Sequence, residues 1–448
     1  MKKVAFYTLG CKVNQYETEA MTEIFENSGY EAVDFEEKAD VYVINTCTVT
    51  GLSARKSRQA IRRAKTANAA AIVAVVGCYP QTAPEEVGEI EDVDIMIGTR
   101  DRLRIMDYIA EYEAVGSRVE AVGDIMHDHG FEALSIDRYK DRTRAFLKIQ
   151  DGCSQFCAYC IIPYARGPVR SRPAEDVLSE VEKLASAGFR EIVLTGIHIA
   201  SYGRDLEEMS LLKLIEAVHG VNGIERLRLG SIEPRTVTEE FAEAAGSLEK
   251  LCPHYHISLQ SGCDETLKRM NRKYTTAEYG RVLALLRENV PDVAVSTDVM
   301  VGFPGETEEE FEATYAFLEE MRFSKMHVFK YSPRKGTPAA SYQNQVSGDV
   351  KEERSKRVIG LSDRHTLEFN SRFAGRKMPV LFEQELRDRP GFYEGLTSNY
   401  IRVVCPGNTG LEGRMAEVLL RAAVEEHMEG ELLRNRGESM LKHYSFDK

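Results

Sequence analysis

Short apolar runs rich in β-branched residues alternate along most of this chain with longer amphipathic stretches, the rhythm of strands and helices in an α/β fold. The first runs are VAFYTL, VYVIN, AIVAVV and DIMIG, with a helix starting near Asn14 and another following VYVIN. They predict a parallel α/β domain over residues 1–123. Cys11, Cys47 and Cys78 each follow one of three such runs immediately. Open parallel sheets present ligands at that carboxyl edge, so three thiols are expected to converge there. Residues 124–138 lack a sustained period and read as a linker.

A second series begins at Arg144: RAFLKIQDG, EIVLTGIHI, RLRLGSIEP, HYHISLQSG, VAVSTDVMVG and KMHVFKYSP, each but the last followed by a helix-length amphipathic stretch. Six βα units over 139–370 are too few for a closed eight-stranded barrel, so a partial (βα)6 TIM-like barrel is expected, with its polar motifs at the C-terminal strand ends. The gap would admit a large substrate. Over 371–441 the pattern shifts to short strands, KMPVLFEQEL, FYEGLTSNYIRVV and MAEVLLRAA, separated by Gly, Pro and Asn, which predicts a small β-barrel.

Composition narrows the class. At 448 residues, 43% hydrophobic and 29% charged, the chain suits two or three folded domains. No apolar run is long enough to span a membrane, and MKKVAFYTLG is too short in its apolar part for a signal peptide, so no membrane partner and a cytoplasmic location are expected. Nine cysteines without export features point away from disulfides and toward metal or catalytic use. A formal charge of −13 argues against a nucleic-acid partner unless the basic footprint is local.

The densest chemistry is Cys153-Ser-Gln-Phe-Cys157-Ala-Tyr-Cys160, three soft ligands on one loop after the first barrel strand. IIPYARG follows instead of a fourth cysteine, so a cubane held here keeps one iron open for a substrate or cofactor. A zinc loop is the alternative, but it would want a second cysteine pair or histidines at similar spacing, and none is nearby. For Cys11, Cys47 and Cys78 the bland alternative is three separately packed thiols. Cys252, Cys263 and Cys405 have no partners at ligand spacing and read as ordinary packed thiols.

CSQFCAYC at the end of a first barrel strand resembles the signature of radical S-adenosylmethionine enzymes. TLGCKVNQYE, INTCTVT, VVGCYPQ, KIQDGCSQFCAYCIIPYARGPVRSR, SIEPR, SLQSG, KRMNRKY and VGFPGET together resemble the methylthiotransferases of that superfamily across nearly the whole chain. The resemblance implies two [4Fe-4S] clusters, one on Cys153, Cys157 and Cys160 and a second on Cys11, Cys47 and Cys78. It implies that the open iron chelates S-adenosylmethionine, that one electron releases a 5′-deoxyadenosyl radical, and that sulfur on the second cluster is methylated by another S-adenosylmethionine. It also implies a C-terminal TRAM domain of the kind used on RNA. S-adenosylmethionine contacts are implied for Tyr159, for Thr195 and Gly196 of TGIH, for Ser231 and Glu233 of SIEP, and for Gln260 and Gly302. Glycines allow close backbone approach, and Ser, Glu and Gln can bond ribose hydroxyls and the cofactor amine. A strand-end glutamate can equally cap a helix or pair with Arg235.

The charge objection has a local answer. GLSARKSRQAIRRAKTA carries six basic residues and no acid, with helical period, so Arg55, Lys56, Arg58, Arg62 and Arg63 are candidate phosphate contacts. Arg166, Arg170 and Arg172, and Arg269, Arg272 and Lys273, are expected to add contacts around the barrel mouth, with a solvated charged face as the alternative for each. TLGCKVN, INTCTVT and IIPYARGPVRSR look most like the branch that methylthiolates N6-threonylcarbamoyladenosine at position 37 of tRNA. The isopentenyl-adenosine branch comes next, then a ribosomal-protein aspartate. A non-catalytic iron–sulfur or zinc module that binds RNA is the alternative of another class. Expected partners are tRNA and an electron donor such as flavodoxin or ferredoxin, with the sulfur donor left open.

Overall fold

The computed structural model describes residues 1–49, 51–128, 130–134, 136, 143–407 and 410–433. Residues 129, 135, 137 and 138 of the expected linker, and 434–441 of the expected C-terminal barrel, lie outside them. The chain forms two compact units, Met1–Ser362 and Asp363–Lys448. The expected divisions at 123 and 138 therefore fall inside one unit, which holds two sheets.

The first sheet is built from β1 (Lys3–Thr8), β2 (Glu31–Val33), β3 (Val41–Thr46), β4 (Ile72–Gly77), β5 (Ile95–Ile97) and β6 (Val119–Ala121), all parallel in the order β2-β1-β3-β4-β5-β6. Helices α1 (Lys12–Asn27), α2 (Gly51–Ala67), α3 (Cys78–Thr82), α4 (Pro84–Gly88) and α5 (Ile105–Val115) link them. A doubly covered parallel strand is apolar on both faces, and β3 and β4 are buried throughout. Val41, Val43, Ala74 and Val76 face Met21, Phe25, Ile105 and Ile109 of α1 and α5. Tyr42, Ile44, Val73 and Val75 face Ala60, Ile61 and Ala64 of α2. The two strands that the apolar pattern does not predict, β2 and β6, are three-residue edges, EAV and VEA, too short and too polar to show a period.

The second sheet carries the six predicted strands. They are β7 (Arg144–Asp151), β9 (Glu191–Gly196), β10 (Arg226–Leu229), β11 (His254–His256), β12 (Ala294–Val301) and β13 (Lys325–Lys330), with a two-residue β8 (Arg170–Ser171) antiparallel to β7. The chain between them forms α6 (Ile162–Arg166), α7 (Ala174–Ser186), α8 (Leu211–His219), α9 (Glu239–Ser247), α10 (Asp264–Arg269), α11 (Thr276–Asn289) and α12 (Glu308–Met321). Hydrogen-bonded groups β10-β9-β7-β8 and β11-β12-β13 are joined by parallel bridges Leu227↔Leu251 and Ile232↔Ile257, giving an open six-unit barrel. Ala145, Leu147, Ile149, Ile192, Leu194, Val295 and Val299 face the outer helices in one large core. The alternate positions turn inward, and at the strands' amino ends Glu191 pairs with Arg228 (2.7 Å), Arg226 (3.6 Å) and Arg144 (3.8 Å), closing the barrel's base with charge.

Helix α13 (Gly348–Ser371) leads into the second unit, where β14 (Lys377–Glu385), β15 (Phe392–Thr397), β16 (Arg402–Pro406), β17 (Met415–Val424) and β18 (His427–Leu432) close into a barrel in the order β14-β15-β16-β18-β17. Bulges at Phe382/Gln384 and Leu420/Ala422 supply the bends that closure needs. Strand β18, HMEGEL, is not predicted by the apolar pattern, since its glutamates and Gly430 interrupt the alternation. No helix among the described residues is long and apolar enough to cross a membrane.

The β7–β8 hairpin pinches the loop 152–169 shut at its base. Gly152 has φ +75°, and a Cβ there would stand 1.7 Å from the Pro168 carbonyl oxygen. Alanine at a left-handed position costs stability, by more than about 1 kcal/mol when backbone blocks it. Gly152→Ala is therefore expected to lower the urea midpoint of the purified protein, and an unchanged midpoint would show that the hairpin opens freely.

Candidate metal and cofactor site

Cys11, Cys47 and Cys78 lie just past the ends of β1, β3 and β4, which are neighbours in one parallel sheet. Cys11 is the N-cap of α1, Cys47 follows β3, and Cys78 opens α3 after β4. Adjacent strands lie roughly 4.8 Å apart, so three consecutive strand ends cover the width of a small cluster. Gly10, φ +110°, allows the approach: a Cβ would meet the Cys47 Cβ at 2.9 Å and its Sγ at 3.2 Å. Asn14 ties the loops together. Its Nδ2 donates to the Leu9 and Thr46 carbonyls, both at 2.8 Å, while the Cys11 thiol lies 3.5 Å from its Oδ1.

Arg166, the last residue of α6, enters from the barrel side. Its Nε stands 3.4 Å from Cys78 Sγ, and its Nη2 donates to Asn14 Oδ1 (2.8 Å) and Glu17 Oε2 (3.0 Å). Glu17 also pairs with Lys148 at 2.9 Å and with Arg102, all of them buried. Asp151 takes Lys148 at 2.6 Å and Arg166 at 3.3 Å. One connected charge network thus joins α1, β7 and α6.

The barrel trio sits on the loop beyond β7. The Cys153 N–H donates to the Gly167 carbonyl (3.0 Å), Cys160 to Cys157 (2.9 Å), and Ala158 to Met270 (2.9 Å), so the loop is held at both flanks. Arg272 Nη1 lies 3.3 Å from Cys157 Sγ, while its Nη2 pairs with Glu233 at 3.0 Å. Burial pushes the thiols of Cys78 and Cys153 up to about 11 and that of Cys160 to about 12. Metal binding reverses this, because a coordinating thiol is deprotonated outright. Among the described residues no three His, Cys, Asp or Glu side chains are gathered closely enough for one metal ion. A cubane draws its thiolates from separate corners and needs no such convergence. Two all-thiolate trios, each beside one buried guanidinium, fit iron–sulfur clusters.

Thr195 and Gly196 end β9, Ser231 and Glu233 follow β10, Gln260 follows β11, and Gly302 follows β12, so all six lie along the same rim as the cysteine loop. A Cβ on Gly196 would meet the Gln150 carbonyl at 2.9 Å. Gln260, at φ +73°, inserts between Asp298 and Met300 with bonds of 2.8 Å each. Gly302, φ +71°, donates to Glu306 at 2.9 Å, and a Cβ there would meet Lys351 at 2.3 Å. Tyr159 packs edge-on to Phe303 with ring centroids 6.5 Å apart. Burial raises the Glu233 carboxyl, but His198 and Arg272 outweigh it and hold it below its ordinary value. Ser231 is exposed.

The basic residues divide. Arg55, Lys56, Arg58 and Arg62 are exposed on α2, although Arg58 also donates to the Tyr79 hydroxyl at 2.9 Å. Lys273 is exposed and donates to Asn271, while Arg63 pairs with Glu36 and lies over Tyr7 and Phe35. Arg166, Arg170 and Arg172, expected as phosphate contacts, are 0, 3 and 4% exposed. That expectation is corrected: Arg166 serves the charge network, Arg170 leans on Asp151, and Arg172 pairs with Glu180 at 2.6 Å. Arg272 is corrected for the same reason, its side chain being 7% exposed and committed to Glu233 and Cys157. Asn14, Glu17, Lys148 and Asp151 were not singled out from the sequence. They lie within the quoted TLGCKVNQYE and KIQDG, with Asn14 and Glu17 following Cys11 at helical spacing.

Known proteins resemble the chain along nearly its whole length. Residues 147–318 match the Radical SAM superfamily and residues 3–98 the Uncharacterized protein family UPF0004. The chain is 44% identical over 446 residues, 99% of each chain, to the Threonylcarbamoyladenosine tRNA methylthiotransferase MtaB of Bacillus subtilis. It is 39% identical to the protein of that name from Aquifex aeolicus, covering 93% of this chain and 100% of that one. It is 34% identical to the tRNA-2-methylthio-N(6)-dimethylallyladenosine synthase of Clostridium tetani over 95% of both. Among solved structures, the radical S-adenosylmethionine methyltransferase TsrM of Kitasatospora setae, with cobalamin and a [4Fe-4S] cluster bound, shares the fold at a TM-score of 0.58, with 18% identity over 76% of this chain and 77% of that one.

The network has a pH signature. Burial raises the Glu17 carboxyl, but Arg102, Arg166 and Lys148 outweigh burial and bring it from 4.5 down to about 2. A depressed carboxylate contributes stability that is present above its unfolded value and lost as pH falls through its folded one. In iron-free protein, the urea midpoint of the wild type should exceed that of Glu17→Gln at neutral pH, and the gap should close between pH 4.5 and 2. A gap constant across that window would mean that the carboxylate's charge contributes nothing.

Proposed function

The chain belongs to the radical S-adenosylmethionine tRNA methylthiotransferases, and on that footing we propose that it methylthiolates C2 of N6-threonylcarbamoyladenosine at position 37, beside the anticodon. The protein is a transferase acting on tRNA. The observation that carries the finer assignment is the 44% identity, end to end, with a relative named for that substrate. Relatives named for the dimethylallyl substrate align over 95% of the chain at 34% and 35%. Methylthiolation of dimethylallyladenosine is therefore the second reading.

An aromatic C–H is neither acidic nor open to a nucleophile, so acid and base groups on the chain have no purchase on it. S-adenosylmethionine and the [4Fe-4S] clusters supply the radical and sulfur chemistry. The chain's own residues hold and orient. Cys153, Cys157 and Cys160 take one cluster, and Cys11, Cys47 and Cys78 the other. Glu233, kept ionised by Arg272 and His198, offers acceptors to a ribose or an amine. Gly196 lets the end of β9 pack against Gln150 and Ile199, where a side chain would collide.

The exposed basic side chains of α2 give the tRNA phosphates a footprint that the acidic total conceals. The β14–β18 barrel acts as a TRAM-type RNA-binding module. A small electron carrier such as flavodoxin or ferredoxin supplies reducing equivalents in the cytoplasm.

Anaerobic reconstitution should load about eight irons per chain and yield 5′-deoxyadenosine on reduction. Alanine at Cys11, Cys47 or Cys78 should leave that cleavage detectable and abolish methylthiolated product, whereas alanine at Cys153 should abolish both. Nucleoside mass spectrometry of tRNA from cells lacking the gene should show loss of 2-methylthio-N6-threonylcarbamoyladenosine. Loss of the dimethylallyl derivative instead would establish the second reading.

A further inference from the structure

Arg166 is a fully buried guanidinium in direct contact with a sulfur of the N-terminal trio, yet it is delivered by the helix that follows the barrel trio. Two of its contacts reach the trio. Its Nε points at Cys78 Sγ (3.4 Å), and its Nη2 holds Asn14 Oδ1 (2.8 Å). Asn14 in turn bonds the carbonyls preceding Gly10 and Cys47 and lies beside the Cys11 thiol. Because Oδ1 accepts from Arg166, Nδ2 is left to donate to both loops, so one arginine orders the surroundings of all three cysteines.

Charge counting points the same way. Among the described residues the connected ion pairs contain four cations, Arg102, Lys148, Arg166 and Arg170, against three carboxylates, Glu17, Glu132 and Asp151. Among the described residues one buried positive charge is in excess, which favours an anionic neighbour. An oxidised cubane carried by three thiolates is a monoanion, and Cys78 places it against Arg166.

We propose that Arg166 is the counter-ion and positioning residue of the N-terminal cluster, setting its reduction potential through the Cys78 sulfur while fixing that cluster to the helix leading out of the barrel loop. A cation and a hydrogen bond at a ligand sulfur favour the reduced, more negative cluster and raise its potential. The proposal rests on the assignment of Cys11, Cys47 and Cys78 as ligands, but not on the identity of the tRNA substrate.

The test uses full-length protein with Cys153, Cys157 and Cys160 replaced by alanine, so that iron loads only the N-terminal trio, and follows a redox titration by electron paramagnetic resonance. Arg166→Gln should shift the midpoint negative by about tenfold in the oxidised-to-reduced ratio, 59 mV for one electron. Glu17→Gln, which keeps the arginine and removes its opposing charge, should shift it positive, and it serves alone if Arg166→Gln does not fold. In the converse protein, lacking Cys11, Cys47 and Cys78, Arg166→Gln should leave the barrel cluster's midpoint in place. Equal midpoints with and without the substitutions, at equal iron content, would overturn the role. A protein that takes up no iron at the N-terminal trio would overturn the ligand assignment along with it.

Discussion

The two cysteine trios hang on different sheets, and what holds the sheets in register is the carboxylate of Glu17. It projects from α1 into the β7 and α6 region and is met there by Arg102, Lys148 and Arg166, with no exposed atom among the four side chains. Burying that much charge is expensive in itself, and a hydrophobic substitute of equal volume could be as stable. Removing one partner is another matter, since it strands the others at a cost of roughly 3–5 kcal/mol. Such a network tolerates one arrangement and penalises its neighbours, which suits a site whose two halves must keep a set separation. Tyr16, one residue before Glu17, reinforces it by donating from the buried hydroxyl to the Leu134 carbonyl at 2.6 Å.

The polarity of parallel sheets explains why both trios lie where they do. Every strand of the first sheet runs the same way, so all its carboxyl ends share one edge, and the strand order reverses at β1. The six barrel strands obey the same rule, placing the cysteine loop, TGIH, SIEP and SLQSG on one rim. Glu191 and its arginines occupy the opposite end.

This logic made much of the molecule readable in advance. Continuous apolar runs such as VYVIN and AIVAVV announce doubly buried strands, and a cysteine just past each run marks the sheet edge. Strands β2, β6 and β18 escaped because a few polar residues on an edge or in a small barrel carry no period. The arginines after the cysteine loop were misread for a different reason. Whether Arg166, Arg170 or Arg172 meets solvent or a carboxylate depends on Glu17, Asp151 and Glu180, which stand in other elements. Local sequence marks a basic residue but not its partner.

That distinction also resolves how an acidic protein can take a polyanion. Net charge sums exposed and buried groups alike, whereas a phosphate backbone feels only those it can approach within a Debye length of roughly 8 Å. Several of the chain's arginines are spent internally, holding sheets, loops and cysteine sulfurs. The helix α2 is used in the opposite way: Ser57, Ala60, Ile61 and Ala64 face the sheet, and Arg55, Lys56, Arg58 and Arg62 face out with no acid in the helix. That face begins, in sequence, shortly after Cys47. The same residue type thus holds buried carboxylates in one place and meets solvent in another, and burial decides which.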